Sequence, residues 1–165
     1  MSAETGEYLV GAYIELIEGC DIVAYNVRAP EKGTKGQGEF DVLGFNFKTN
    51  TVFLCEVVTH LNTMLYSTGK DVTVEKINKK HRNQKEYAKN YLSQFENIKY
   101  QLWSPSVMKK HIDLLKKEKK LELVINQEYT KRVNELRIEA KKSTKRRGNP
   151  AFRMLQILGH LRKEK

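Results

Sequence analysis

Along the first 60 residues the spacing of apolar positions changes from helical to strand-like. Leu9, Ala12, Tyr13, Leu16 and Ile17 recur at helix spacing and predict a helix over 5–18, with Gly19 as its stop. Ile22, Val23, Tyr25 and Val27 predict a strand over 21–27, and Pro30, Gly33, Gly36 and Gly38 mark a loop over 29–38. Two more apolar runs, 39–47 and 51–59, flank Lys48-Thr49-Asn50 and predict an antiparallel hairpin. A less regular stretch, 61–73, precedes a long helix over 74–95 with Ile77, Tyr87, Ala88, Tyr91 and Leu92 among its apolar positions. A short strand follows over 99–103, then a helix over 107–120 with Ile112, Leu114 and Leu115 inward, then a strand over 121–125. Tyr129, Val133, Leu136 and Ala140 form the stripe of an amphipathic helix over 128–147. Asn149 caps a last helix with Pro150 at its first position and Phe152, Leu155 and Leu158 toward the core. The order αβββαβ, extended by helices and a strand, is that of an α/β fold.

Size and composition narrow this picture. A chain of 165 residues fits one domain and buries about 70% of its unfolded surface. With 39% hydrophobic and 30% charged residues it is globular rather than disordered. No apolar run approaches the roughly 20 residues that cross a bilayer. The first residues include Glu4 and Glu7 and no basic stretch, so no secretory signal is expected and a cytoplasmic location is. Cys20 and Cys55 sit in apolar sequence and read as buried, reduced thiols.

Charge divides the chain. Residues 1–75 hold 5 Lys and Arg against 11 Asp and Glu, whereas residues 76–165 hold 25 against 9. An acidic segment suited to cations followed by a basic one suited to polyanions fits a metal-dependent phosphodiesterase. The plainer reading of the basic half is a solvated lysine-rich surface.

Two carboxylates stand out because each interrupts an apolar strand: Asp41 in Glu39-Phe40-Asp41-Val42-Leu43, and Glu56 in Phe53-Leu54-Cys55-Glu56-Val57. Burying either is costly unless a cation meets it. The hairpin brings them side by side, and a divalent cation such as Mg²⁺ (or Mn²⁺) suits paired oxygen ligands and can polarise a phosphate and activate a water. The alternative is two edge carboxylates facing solvent.

Gly38-Glu39-Phe40-Asp41 followed by Phe53-Leu54-Cys55-Glu56-Val57-Val58-Thr59 resembles the signature of the PD-(D/E)XK nuclease superfamily. The likeness is nearest to its Holliday-junction-resolvase-like and YraN-type members. Gly6-Glu7 opening a helix, then Tyr13, Gly19 and Asn26-Val27-Arg28, and the helix from Lys76 through Leu92 extend it over about 5–105. The resemblance implies a restriction-endonuclease-like αβββαβ core with a mixed central sheet and additional C-terminal helices, 106–165 being a basic extension of the same domain. It implies a Mg²⁺-dependent DNA endonuclease, with DNA rather than RNA as partner and no membrane; homodimers occur among such relatives. Asp41 and Glu56 would be metal ligands, the Val57 carbonyl a third, and Glu7 would complete the acidic cluster. Glu7 also reads as an ordinary helix-start acid.

One position departs from the signature: Val58 stands where the superfamily has lysine. That lysine would orient the attacking water and stabilise charge on the phosphate, which valine cannot do. Either a lysine reaches in from elsewhere, with Lys76 and Lys79 as candidates, or His60 on the Glu56 face takes part, or catalysis is lost and an inactive nucleic-acid-binding module remains. Lys80, Arg82, Lys145, Arg146 and Arg147 are the candidate phosphate contacts. Gln84 and Tyr87 on the long helix are weaker ones. Trp103 and Tyr100 read as packing rather than base-stacking residues.

Overall fold

The computed structural model describes residues 3–28, 38–61 and 70–162. The elements are α1 (Thr5–Leu16), β1 (Ile22–Arg28), β2 (Glu39–Asn46), β3 (Thr51–Val57), α2 (Lys70–Tyr91), β4 (Asn97–Ser104), α3 (Lys109–Leu115), β5 (Leu121–Ile125), α4 (Gln127–Lys142) and α5 (Pro150–Gly159). The strands form one mixed sheet in the order β1-β2-β3-β4-β5. β1, β2 and β3 pair antiparallel, and β4 and β5 are added parallel to β3.

Each parallel step needs a crossover helix: α2 carries the chain from β3 to β4, and α3 from β4 to β5. Both lie on one face, where Val74 and Ile77 of α2 and Leu115 of α3 pack with Val58, Leu102 and Ile125. A second cluster on that face joins Leu43, Val52, Leu54 and Tyr100 to Ala88 of α2 and to Leu92 just past its end. The opposite face carries α1, α4 and α5, whose Val10, Ile14, Leu136, Ala140 and Phe152 cover Val42, Phe53, Cys55 and Trp103. The result is three layers, helices on both faces of the sheet.

Glycines let α1 lie close to the sheet. A Cβ at Gly44 would fall 2.4 Å from Ile14, and one at Gly6 would fall 2.2 Å from Thr59, just past β3. The Gly6 contact seats the first turn of α1 over the end of β3.

Several helix limits differ from the sequence-based expectation: α1 ends at Leu16, α2 ends at Tyr91 rather than 95, α3 starts at Lys109, and three further limits also shift. α2 begins at Lys70, inside the stretch taken as irregular; 62–69, like most of the 29–38 loop, lies outside the described residues. α3 stops at Leu115, and the chain turns into β5 through Lys120, which adopts a left-handed φ of 69° that no helix continues. α4 stops at Lys142, because the Gln156 side chain of α5 donates to the carbonyls of Ser143 and Lys145 and holds that segment out of helix. The cap of α5 is as expected, with Asn149 accepting from Phe152 N and Pro150 opening the helix. Cys20 and Cys55 are buried and unbridged; burial pushes the Cys20 thiol up to about 12, so neither is a ready nucleophile. Among the described residues no helix is long and apolar enough to cross a membrane.

Candidate active site

The site is built where β2 parts from β3. Their ladder ends at Val42↔Cys55, whereas β3 stays paired with β4 as far as Val57↔Trp103. The next donor facing β2, Val57 N–H, is taken by the Asp41 side chain: Oδ2 accepts it at 2.7 Å. A carboxylate thus replaces the backbone carbonyl that a continued ladder would supply.

The cause of the fork is legible in β1 and β2. Val23 and Tyr25 pack on the α1 face, but Val27 packs on the α2 face with Ala24. Regular alternation would put Val27 with Val23. The switch falls at Asn26, whose φ is 52°; asparagine tolerates this left-handed region better than most residues. On β2 the same switch falls at Asp41, between Val42 on the α1 face and Phe40, whose ring lies 4.7 Å from Tyr87 of α2. The pairs Tyr25↔Val42 and Val27↔Phe40 set Asn26 and Asp41 opposite each other. Asp41 therefore sits in the gap of the fork, open to groups from both faces.

Glu56 and Asp41 are buried, at 3% and 9% exposure, and their carboxyl groups interact directly. Lys80 of α2 brings its amine to both: it hydrogen-bonds Glu56 Oε1 and lies 4.0 Å from Asp41 Oδ1. From the α1 side, Glu7 feels the charge of Asp41. Burial raises the Asp41 pKa, opposed by Lys80, the Val57 N–H and the Glu56 hydrogen bond. Burial likewise raises that of Glu7, opposed by the Glu4 N–H and by Asn26, with Asp41 and Glu4 adding repulsion. Glu7 serves the helix as well: its Oε2 accepts from Glu4 N at 3.0 Å in a capping box.

Three carboxylates and one amine leave this corner short of positive charge. A hard divalent cation fits that deficit and the all-oxygen donor set. Among the described residues no three Asp, Glu, His or Cys side chains converge into a ready ligand cage. Asp41 and Glu56, with the Val57 carbonyl and waters, are the residues that would hold the ion.

Lys76 and Lys79 are exposed on α2. On a helix whose buried stripe is Thr73, Ile77, His81, Gln84 and Ala88, Lys79 points nearly straight away from the sheet, while Lys80 lies at the stripe's edge. The amine at the carboxylate pair is therefore that of Lys80, expected from sequence only as a phosphate contact. Its signal was obscured because His81 and Gln84 are polar yet 1% exposed, so the inward stripe does not read as apolar. Val58 is 4% exposed among Val74, Ile77 and Leu102. His60 lies beyond the end of β3 and is exposed. Gln84 lines a small cleft with Gly38, Glu39, Phe40, Glu56, Lys80 and Asn83, and its Nε2 has no hydrogen-bond partner among the described residues.

Arg82, Lys145, Arg146 and Arg147 are exposed. The last three lie between α4 and α5, just before Asn149, whose side chain donates to the Tyr8 carbonyl at 2.8 Å and the Tyr25 hydroxyl at 3.3 Å. That tether holds the basic run beside the first turn of α1, which bears Glu7. Arg132 of α4, by contrast, is 8% exposed and engaged with Glu122, Glu128 and Glu18. Tyr100 and Trp103 are core residues. Comparison of the chain with known protein families, characterised proteins and solved structures returned no match.

Proposed function

We propose that this chain is a divalent-cation-dependent nucleic-acid phosphodiesterase, a DNA endonuclease of the PD-(D/E)XK type in which Lys80 of α2 stands in for the strand lysine. The observation that carries the reading is the meeting of Asp41, Glu56 and Lys80 in the β2–β3 fork. The element order supports it: a helix, three antiparallel strands, a crossover helix and a parallel fourth strand follow the αβββαβ core that the motif implies.

In this scheme Asp41 and Glu56 hold the cation, Mg²⁺ or Mn²⁺, with the Val57 carbonyl. When bound, the cation polarises the scissile phosphate and acidifies water. Val57 N–H fixes the Asp41 carboxylate. Lys80, one-third exposed, moves from the carboxylates toward the phosphate and meets charge as it develops. Lys145, Arg146 and Arg147, tethered by Asn149 on the α1 side, contact flanking phosphates. A second reading, an inactive nucleic-acid-binding module, is favoured by one observation: the Lys80 amine already neutralises part of the pair.

Cleavage of single-stranded, duplex and branched DNA with Mg²⁺ or Mn²⁺ separates the two. Metal-dependent cleavage is expected for the wild type and for Lys79→Ala. Loss to background is expected for Glu56→Ala, and a loss of about 100-fold or more for Lys80→Ala. Retained DNA binding with no cleavage in any protein supports the inactive module. Full activity in Lys80→Ala removes the assigned role of Lys80.

A further inference from the structure

α5 is apolar on both sides. Ala151, Phe152 and Leu155 face the core. On the opposite side Met154, Ile157 and Leu158 are 55%, 47% and 57% exposed, with exposed Pro150 on the same arc and Leu161 just beyond the helix at 66%. A surface helix ordinarily turns charged or polar residues outward, and one apolar all round is normally covered. Here the outward positions 154, 157, 158 and 161 repeat the spacing with which one helix seats against another. Leu158, expected from sequence to face the core, belongs to this outward stripe.

Charge selects what covers it. From 141 to 163 the chain has eight Lys and Arg and no Asp or Glu. Arg146 and Arg147 precede the stripe, Arg162 follows it, and Arg153 flanks Ile157 one turn away. A second copy seated by two-fold symmetry would set these cations against themselves. A helix lying in an anionic membrane keeps a polar face toward water, but the other face of α5 is spent on the protein core, and its outward stripe has no Trp or Tyr of the kind that anchors at lipid headgroups. We infer that the outward face of α5 docks an acidic amphipathic helix of a partner protein, apolar residues against Met154, Ile157, Leu158 and Leu161 and carboxylates against the flanking arginines. This uses none of the residues of the Asp41–Glu56–Lys80 site; it shares only Arg146 and Arg147 with the proposed phosphate contacts, and its test rests on the apolar stripe, which the nuclease reading does not use.

The test uses a labelled synthetic helix with leucines at i, i+3, i+4 and i+7 flanked by glutamates, titrated with the full chain by fluorescence anisotropy. The same helix flanked by lysines is the charge control. M154Q/I157Q/L158Q removes the apolar face without adding charge, and a wild-type melting curve confirms its fold. Binding of the acidic helix about tenfold tighter than the basic one, and weakened about tenfold by the triple variant, is expected. No binding of the acidic helix, or equal binding by the triple variant, overturns the inference. So does attachment to phosphatidylserine vesicles, or a concentration-dependent dimer in sedimentation velocity, that the triple variant abolishes, since either assigns the face to another occupant.

Discussion

Two clusters of buried charge lie on opposite faces of the same sheet, and they are built in inverse ways. On the α4 face the cation is inside: the Arg132 side chain is 10% exposed, while its partners Glu18, Glu122 and Glu128 are 25%, 43% and 41% exposed. Its guanidinium stacks over Tyr13 and Trp103, and Glu122 accepts from Gln101, whose Oε1 takes the Trp103 and Cys55 donors. On the α2 face the anions are inside: the side chains of Glu56 and Asp41 are 4% and 12% exposed, while Lys80 is 36% exposed. The first cluster is locked, because the central ion cannot leave without unfolding its surroundings. In the second the neutralising ion is the one nearest water, so another cation can take its place. A fixed cation serves stability, and an exchangeable one suits chemistry.

The sharpest break of this comparison is Arg132→Ala against Lys80→Ala in urea denaturation. Arg132→Ala loses charge-assisted hydrogen bonds and two aromatic contacts, and is expected to cost about 3 kcal/mol. Its carboxylate partners reach solvent and bind no metal tightly, so millimolar Mg²⁺ recovers little. Lys80→Ala strips a partly exposed amine and is expected to cost about 1 kcal/mol, the exposure discounting the value of a buried pair. Here millimolar Mg²⁺ is expected to restore the loss, because the cation binds only the folded fork. Equal Mg²⁺ response in both variants would erase the distinction.

A smaller effect is expected from pH. Burial raises the pKa of Asp41 and of Glu7 above the ordinary carboxylate value. A group whose folded pKa is raised binds its proton more tightly when folded, so its contribution is present at acid pH and declines as pH rises through the folded pKa. Stability without metal should therefore fall as pH climbs upward from about 4, the unfolded carboxylate range. Asp41→Asn should flatten that fall, and Arg132→Ala should not. His81 has the opposite sign: burial lowers its pKa, so its contribution is lost as pH drops below the ordinary imidazole range.

The smallest change concerns the surface. Neutralising Lys145, Arg146 and Arg147 together should reduce the slope of log affinity for DNA against log salt by about 3, with cleavage at saturation nearly unchanged. An unaltered slope would remove the linker from the nucleic-acid path.

Much of the sheet could be read from the chain because its strands are short apolar runs bounded by turn residues. The hairpin, the strand 121–125, the Asn149-Pro150 start and the adjacency of Asp41 and Glu56 all follow from local pattern. What local pattern misses is set by long-range packing. Lys80 reads in sequence only as a phosphate contact, because the buried stripe beside it includes the polar His81 and Gln84. Arg132 would pass for a surface cation in sequence, because nothing nearby along the chain announces that Glu18, Glu122, Tyr13 and Trp103 surround it. The fork itself depends on a left-handed Asn26, and an asparagine inside an apolar strand gives only a weak hint of that backbone state.

An amine presented by a helix rather than by a strand changes which mutations the fold can absorb. A lysine at position 58 would keep its facing as long as β3 keeps its register, and the ladder on both sides enforces that register. Lys80 is instead phased by rotation. One residue added or removed between Ile77 and Lys80 would turn the amine by about 100° relative to the stripe that seats α2, and would carry it away from Glu56. Descendants of this chain should accordingly vary freely in the length of the strand connections while conserving the spacing inside α2. Position 58 becomes free to drift among apolar residues that fill the space beside Val74 and Ile77.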